Sequence, residues 1–335
     1  MKPLIILEDD RFIWETELNE FVPNRIFDAH THFYDTRLMS KADHEKYAFM
    51  QACPRVGLAE LRQLSAMIFP NRELHSLASG MPRRSTDLAA TDAMVGEQVT
   101  MDPLSIGLML AHPRLSRAEV EKQLDRTGLH GFKPYMCFST SPDPSQSTIL
   151  EMLPEYYWQI ANDRALIILL HMGRHASLAD PVNQRDIRKL CERYPGARLQ
   201  LAHCARCFTS QIAETGLPTV ADLPNVHVDT SAVCETEVFH ILLDVWPRER
   251  ILFGTDNCVA GLMRGKYAGF GKGWYGIFDS NTTAFQAPHV PFPPTFVAYE
   301  NLRALRMAVR RKGWGKSEIE DLFWNNAQRI LFRVG

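Results

Sequence analysis

The sequence predicts an α/β protein folded as one (β/α)8 barrel, and three observations carry that expectation. Short apolar runs alternate with helix-period segments from about residue 24 onward. Eight such runs fit the roughly 250 residues that this architecture uses. Several of the runs end on a histidine or an aspartate, where a barrel exposes its functional rim.

The candidate strands are 25–30, 64–69, 105–111, 131–135, 166–171, 198–203, 225–230 and 250–255. Continuous apolar runs of this kind suit strands buried on both faces of a parallel sheet. Between them, Ser116 with Glu119 reads as a capping box opening a helix that Gly128 stops. Ile187, Leu190, Cys191 and Tyr194 form one i, i+3, i+4, i+7 stripe, and Val238, Ile241, Leu242 and Val245 form a second. Ser317 with Glu320 reads as another box, opening a last helix with Leu322, Phe323, Ala327 and Leu331 on one side. A doubly wound open sheet is the competing arrangement, since it uses the same alternation.

No linker or composition shift divides the chain, so residues 24–335 are expected to form one barrel and residues 1–23 an N-terminal extension on its outside. Two stretches exceed ordinary barrel loops, 31–63 after the first strand and 257–293 after the eighth. Both are candidate lids or substrate walls, the second being rich in Gly, Tyr, Trp and Phe.

The chain has 335 residues, 45% hydrophobic and 23% charged, values that exclude disordered and fibrous classes. With 37 Lys and Arg against 39 Asp and Glu, the net charge is −2, and there is no basic field to hold a nucleic-acid backbone. The apolar stretch Leu4–Leu7 is too short for a signal-peptide core, and no run approaches the roughly 18 residues of a membrane span. Seven cysteines without framework spacing suit a reducing compartment. The expectation is a soluble cytoplasmic protein acting on a small molecule, with no nucleic-acid or membrane partner. Self-association is left open, because no interface signal is legible. The sequon Asn281-Thr282-Thr283 has no meaning without secretion.

The chemistry lies at the strand ends. His30 and His32 stand two apart at the end of the first run, so both can aim into a barrel mouth. His171 closes the fifth run, His203 the sixth, and Asp256 follows the eighth. Imidazoles with a carboxylate are a ligand set for zinc or a similar divalent ion. A single strand-end histidine is more often a satisfied core residue, but four with an aspartate on one rim are a site.

At these residues the sequence resembles the amidohydrolase superfamily, in its amidohydrolase-related branch of metal-dependent barrels. The resemblance rests on Asp28-Ala29-His30-Thr31-His32, His171, His203, Gly254-Thr255-Asp256 and the closing Asn326-Ala327-Gln328-Arg329. It implies a metal held by His30, His32, His171 and Asp256, zinc first and manganese next. It also implies Asp256 as the group that takes a proton from water, with His203 as acid–base or orienting residue. Lys133 matches the fourth-strand lysine that is carboxylated in binuclear members, and its other reading is a lysine that pairs with substrate or an acid.

Tyr135, Arg174 and Arg72 are further candidates for substrate binding, the arginines as clamps on a carboxylate. Asp229, Ser231 and His112 also fall at strand ends. Cys204-Ala205-Arg206-Cys207 lacks a second CxxC and reads as two ordinary thiols. Gly271–Gly276 matches GxGxxG but opens no helix, so a nucleotide fingerprint is not expected. The expected function is a metal-dependent hydrolase of a small, carboxylate-bearing amide, lactone or ester. A non-oxidative decarboxylase or hydratase of the same superfamily is the alternative, and a barrel that only binds ligand is the third reading.

Overall fold

A computed structural model describes residues 5–279 and 294–332. The sequon at Asn281 and part of the second long loop lie outside the described residues. Eight parallel strands carry the fold: β1 (Arg25–Asp35), β3 (Glu73–Gly80), β4 (Ile106–Leu110), β5 (Gly131–Lys133), β6 (Ile167–Leu170), β7 (Arg198–Leu201), β8 (Val226–Asp229) and β9 (Ile251–Leu252). They pair in sequence order, and a short antiparallel strand β2 (Arg55–Val56) extends the free side of β1. Backbone bonds from Ala29 N to Phe253 O (2.8 Å), Asp256 N to His30 O (2.9 Å) and His32 N to Asn257 O (2.6 Å) join the last strand segment to the first. Those bonds close the sheet into a barrel and exclude the open doubly wound alternative.

The barrel interior is a packed apolar plug. Phe27, Ala29, Leu77, Ile106, Leu108, Ile167, Leu169 and Leu252 fill it, and Trp324, Ala327 and Leu331 of the C-terminal helical segment seal its lower end. Asn326 Nδ2 donates to Ile251 O at 2.8 Å and to Arg248 O at 2.8 Å, fixing that segment under the barrel. A larger apolar layer lies between the sheet and the surrounding helices.

Seven of the eight expected strands fall where the sequence places them, and one does not. Residues 64–69 lie in the helix Leu58–Ile68, and the second barrel strand is β3 instead. Leu58, Leu61, Ser65 and Ile68 are the buried positions of that helix, a spacing of three and four that burial on a single face requires. β3 is not legible as an apolar run because His75, Ser76 and Ser79 interrupt its pattern, although all three are buried.

The capping box at Ser116 and Glu119 forms as expected, with Gly128 left-handed (φ 66°) at the far end. The last box is displaced by two residues: Gly315 N donates to Glu318 Oε2 at 2.9 Å, and Ser317 lies inside the helix Lys316–Glu320. The N-terminal segment packs onto the outside of the barrel, where Trp14 stacks on Tyr299 at 6.2 Å and Arg264 pairs with Asp10. The described part of the second long loop is a hairpin of β10 (Gly265–Phe270) and β11 (Gly273–Phe278). Gly271, first residue of the GxGxxG match, occupies the hairpin turn with φ 59°, and no helix follows. Among the described residues, no helix is long and apolar enough to cross a membrane.

Candidate metal and active site

His30 and His32 owe their shared direction to a defect in β1. Phe27 and Ala29 belong to the barrel interior, so strict alternation would carry His30 outward. The pairing of β1 with β3 shifts register between Asp28 and Thr31, and this bulge resets the phase. Both imidazoles then line a cavity of about 260 Å3 at the carboxyl ends of the strands. His171, His203, Asp256 and Tyr135 share the same wall.

The donor atoms of His30, His203 and Asp256 all lie within 4.8 Å of one another. Asp256 Oδ1 is 3.2 Å from His32 Nε2 and 3.6 Å from His30 Nε2. His171 stands edge-on to His203, with ring centroids 5.3 Å apart. The structure thus brings all five sequence-derived residues to one place, with a donor atom of His203 within 4.8 Å of those of His30 and Asp256.

Buried partners fix the imidazole tautomers. Ser231 Oγ donates to Asp229 Oδ1, so its oxygen can only accept from neighbouring rings. His203 Nδ1 lies 2.9 Å from that oxygen and 3.2 Å from Ser231 O. His30 Nδ1 lies 3.1 Å from Ser231 Oγ and 3.2 Å from Asp229 Oδ2. Both rings therefore carry their proton on Nδ1 and leave Nε2 unprotonated, that of His30 within 2.8 Å of Lys133 Nζ. His32 Nδ1 faces Gly80 O at 3.3 Å, which leaves its Nε2 bare as well.

The charges suit a cation. Burial lowers the pKa of His30, His32, His171 and His203, keeping the rings neutral. Burial opposes ionisation of Asp256, but its contacts with His32, His30 and His203 outweigh it and bring its pKa down to about 2. A bare Nε2 and a carboxylate oxygen facing each other at 3.2 Å call for a positive charge between them. His171 Nδ1 is buried with no hydrogen-bond partner among the described residues, a further lone pair that a cation would satisfy. The residues present fit a divalent ion.

Lys133 is fully buried on β5, behind the cavity wall rather than in it, with Nζ 2.8 Å from His30 Nε2. Burial lowers its pKa to about 8, against the pull of the Asp256 and Asp229 carboxylates. It meets a ligand candidate directly, which is a different position from the substrate contact expected of it.

Neither expected arginine clamp lines the cavity. Because the second strand is β3, Arg72 precedes it and stands at the opposite end of the barrel. There it bonds Val22 O, Pro70 O and Asn19 and lies 5.0 Å over the Trp14 ring. Arg174 pairs with Asp180 at 2.8 Å and donates to Gln146 O. His112 is likewise engaged locally, its Nδ1 accepting from Arg114 N at 3.1 Å.

Arg83 and Arg206 line the cavity in their place. The sequence held no local sign of either. Arg206 enters through four consecutive residues, His203 to Arg206, with φ between 48° and 60°. Each such residue costs roughly 1–2 kcal/mol relative to the right-handed region. The His203 amide, anchored on Asp229 Oδ1 at 3.0 Å, helps hold that turn. Cys204 within the turn and Cys207 just after it are free, buried thiols. Tyr267 and Trp274 of the hairpin complete the wall, packed on Phe208 at 5.1 and 4.4 Å. The second long loop thus supplies a cavity wall, as the sequence led one to expect.

A closed parallel barrel with imidazoles and an aspartate at its strand ends defines a class of metal-dependent barrel enzymes. The chain belongs to the amidohydrolase family, whose model matches residues 27–333. Among solved structures it is similar to an amidohydrolase from Burkholderia multivorans with bound HEPES, at 15% identity and TM-score 0.60, covering 91% of this chain and 98% of that one. It is similar to a putative 2-pyrone-4,6-dicarboxylic acid hydrolase from Pseudomonas putida, at 15% identity and TM-score 0.56, covering 92% and 98%. A dihydroxybenzoic acid decarboxylase from Polaromonas sp., with bound manganese and an inhibitor, matches at 15% identity and TM-score 0.53, covering 92% and 97%. At these identities the likeness is one of fold. No curated protein matches the sequence.

Proposed function

We propose that this protein is a metal-dependent hydrolase acting on a small, carboxylate-bearing amide, lactone or ester. The observation that carries the reading is the convergence of bare imidazole nitrogens on an ionised Asp256 at the edge of a cavity. His30, His32, His171 and Asp256 would hold a divalent ion, zinc first and manganese next. When bound, such an ion supplies a Lewis acid and makes water acidic near neutral pH.

The chain's own groups perform the remaining work. Asp256 accepts a proton from the attacking water at a carboxylate oxygen and later returns it to the leaving group. His203 presents Nε2 to the reacting carbonyl side, its ring held by Ser231 through Nδ1. Asp229 keeps the His30 proton on Nδ1. A cavity of about 260 Å3 lies below the ~300–1,000 Å3 of drug-sized ligand sites, which points to a small substrate.

Metal analysis of the purified protein, followed by a panel of lactones, esters and amides, tests the reading. Asp256→Asn is expected to abolish turnover while leaving the thermal transition in place. Unchanged turnover in that variant removes Asp256 from the mechanism. Carbon dioxide released from carboxylic acids, with no hydrolysis across the panel, assigns the chain to decarboxylation instead.

A further inference from the structure

We propose that Arg206 and Arg83, in the cavity wall that also holds Tyr135, form an anion subsite that binds a substrate carboxylate apart from the group being attacked. This rests on the cavity just described and deepens the functional reading by assigning the substrate's charge to named residues.

Arg206 has no acidic partner among the described residues. Its Nη1 donates to Met172 O at 2.6 Å and lies 4.0 Å from Met136 Sδ, and among the described residues the other polar hydrogens of the fork meet no oxygen. Burial disfavours its charge, yet a guanidinium does not give up its proton in a protein. A largely buried, unpaired cation is costly, so the site is completed by an anion from outside. The position is also held at a cost in backbone strain, because Arg206 is the last of four left-handed residues.

Arg83 repeats the pattern from the loop after β3. It lies 3.9 Å over the Tyr47 ring, its Nη1 donates to Pro82 O, and its Nε is buried without a partner among the described residues. It has no acidic partner among the described residues either. Tyr135 lines the same cavity as both arginines, and its ring is 4.5 Å from His171.

The rest of the wall specifies what carries the anion. Trp274 lies 5.7 Å from the Arg206 guanidinium, and Phe208 bridges from Trp274 to His203. Planar apolar faces beside a planar fork suit a carboxylate on a flat or cyclic body.

Calorimetric titration of the metal-loaded protein with benzoate, and with benzamide as its neutral isostere, tests the assignment. Benzoate is expected to bind at least tenfold more tightly than benzamide. Arg206→Gln is expected to weaken benzoate roughly 10- to 100-fold and to leave benzamide and metal content unchanged. Arg83→Gln is the second variant, expected to act in the same direction should Arg206→Gln fail to fold. Equal binding of the two probes overturns the proposal, as does undiminished benzoate affinity in both folded variants, which would place the carboxylate on the metal. Phenyl phosphate binding more tightly than benzoate overturns the carboxylate assignment. None of these readouts requires turnover, so the subsite can stand or fall independently of the hydrolytic reading.

Discussion

Asp229 Oδ2 accepts the Nδ1 proton of His30 across 3.2 Å and 199 positions of sequence. The same carboxylate accepts from Gln200 Nε2 at 2.8 Å and from the His203 amide at 3.0 Å. One buried acid on β8 thereby sets the tautomer of a first-strand ligand candidate and anchors the turn carrying His203. Asp229→Asn should lower affinity for a divalent ion roughly 10- to 100-fold, read by competition with a chromogenic chelator. Wild-type affinity in a folded variant would show that Asp229 does not orient His30.

His171 and His203 are separated by their nitrogens. Among the described residues His171 Nδ1 has no partner, whereas His203 Nδ1 is claimed by Ser231. His171→Asn should deplete the purified protein of metal, while His203→Asn should retain metal and lose turnover. Elemental analysis of both variants decides the matter, and the reverse outcome would exchange the two roles.

His227 predicts an acid-sensitive fold. Burial, with Arg250 and Arg198 nearby, lowers its pKa to about 3, so the folded protein keeps the ring neutral. The unfolded chain takes up that proton near pH 6.5. Its contribution is therefore complete above about pH 6.5 and is lost as pH falls from there towards 3, at up to about 1.4 kcal/mol per pH unit. In His227→Gln the fall of urea-unfolding stability between pH 6.5 and 4.5 should be shallower by up to that amount. An identical slope in the two proteins would contradict the assignment.

Trp324 closes the lower end of the barrel, with Arg25 4.5 Å over its ring and His75 at 5.5 Å. Trp324→Ala should cost about 3–5 kcal/mol of stability by leaving a cavity under Phe27 and Leu252. Denaturant unfolding measures this, and metal affinity at the opposite end should not change. A loss under about 1 kcal/mol would mean that the segment does not seal the core.

Much of the fold was legible because strands buried on both faces must be apolar throughout, and seven of eight showed it. β3 was not, since Ser79 and His75 satisfy their polar atoms against His32 and Asp102, partners that local sequence does not reveal. Its misplacement carried Arg72 to the wrong end of the barrel. Arg174 failed for a related reason: Asp180 is near in sequence and claims its charge.

By itself, the sequence determined the barrel, the strand-end histidines with Asp256, and an aromatic loop beside them. These follow from hydrophobic period and from side chains that occupy the ends of runs. Only the tertiary structure decided the bulge that turns His30 inward, the left-handed turn that delivers Arg206, and the Asp229–Ser231 network behind the imidazoles. Each of these is a backbone or protonation state held by residues far apart in the chain, and no local pattern encodes such a contact.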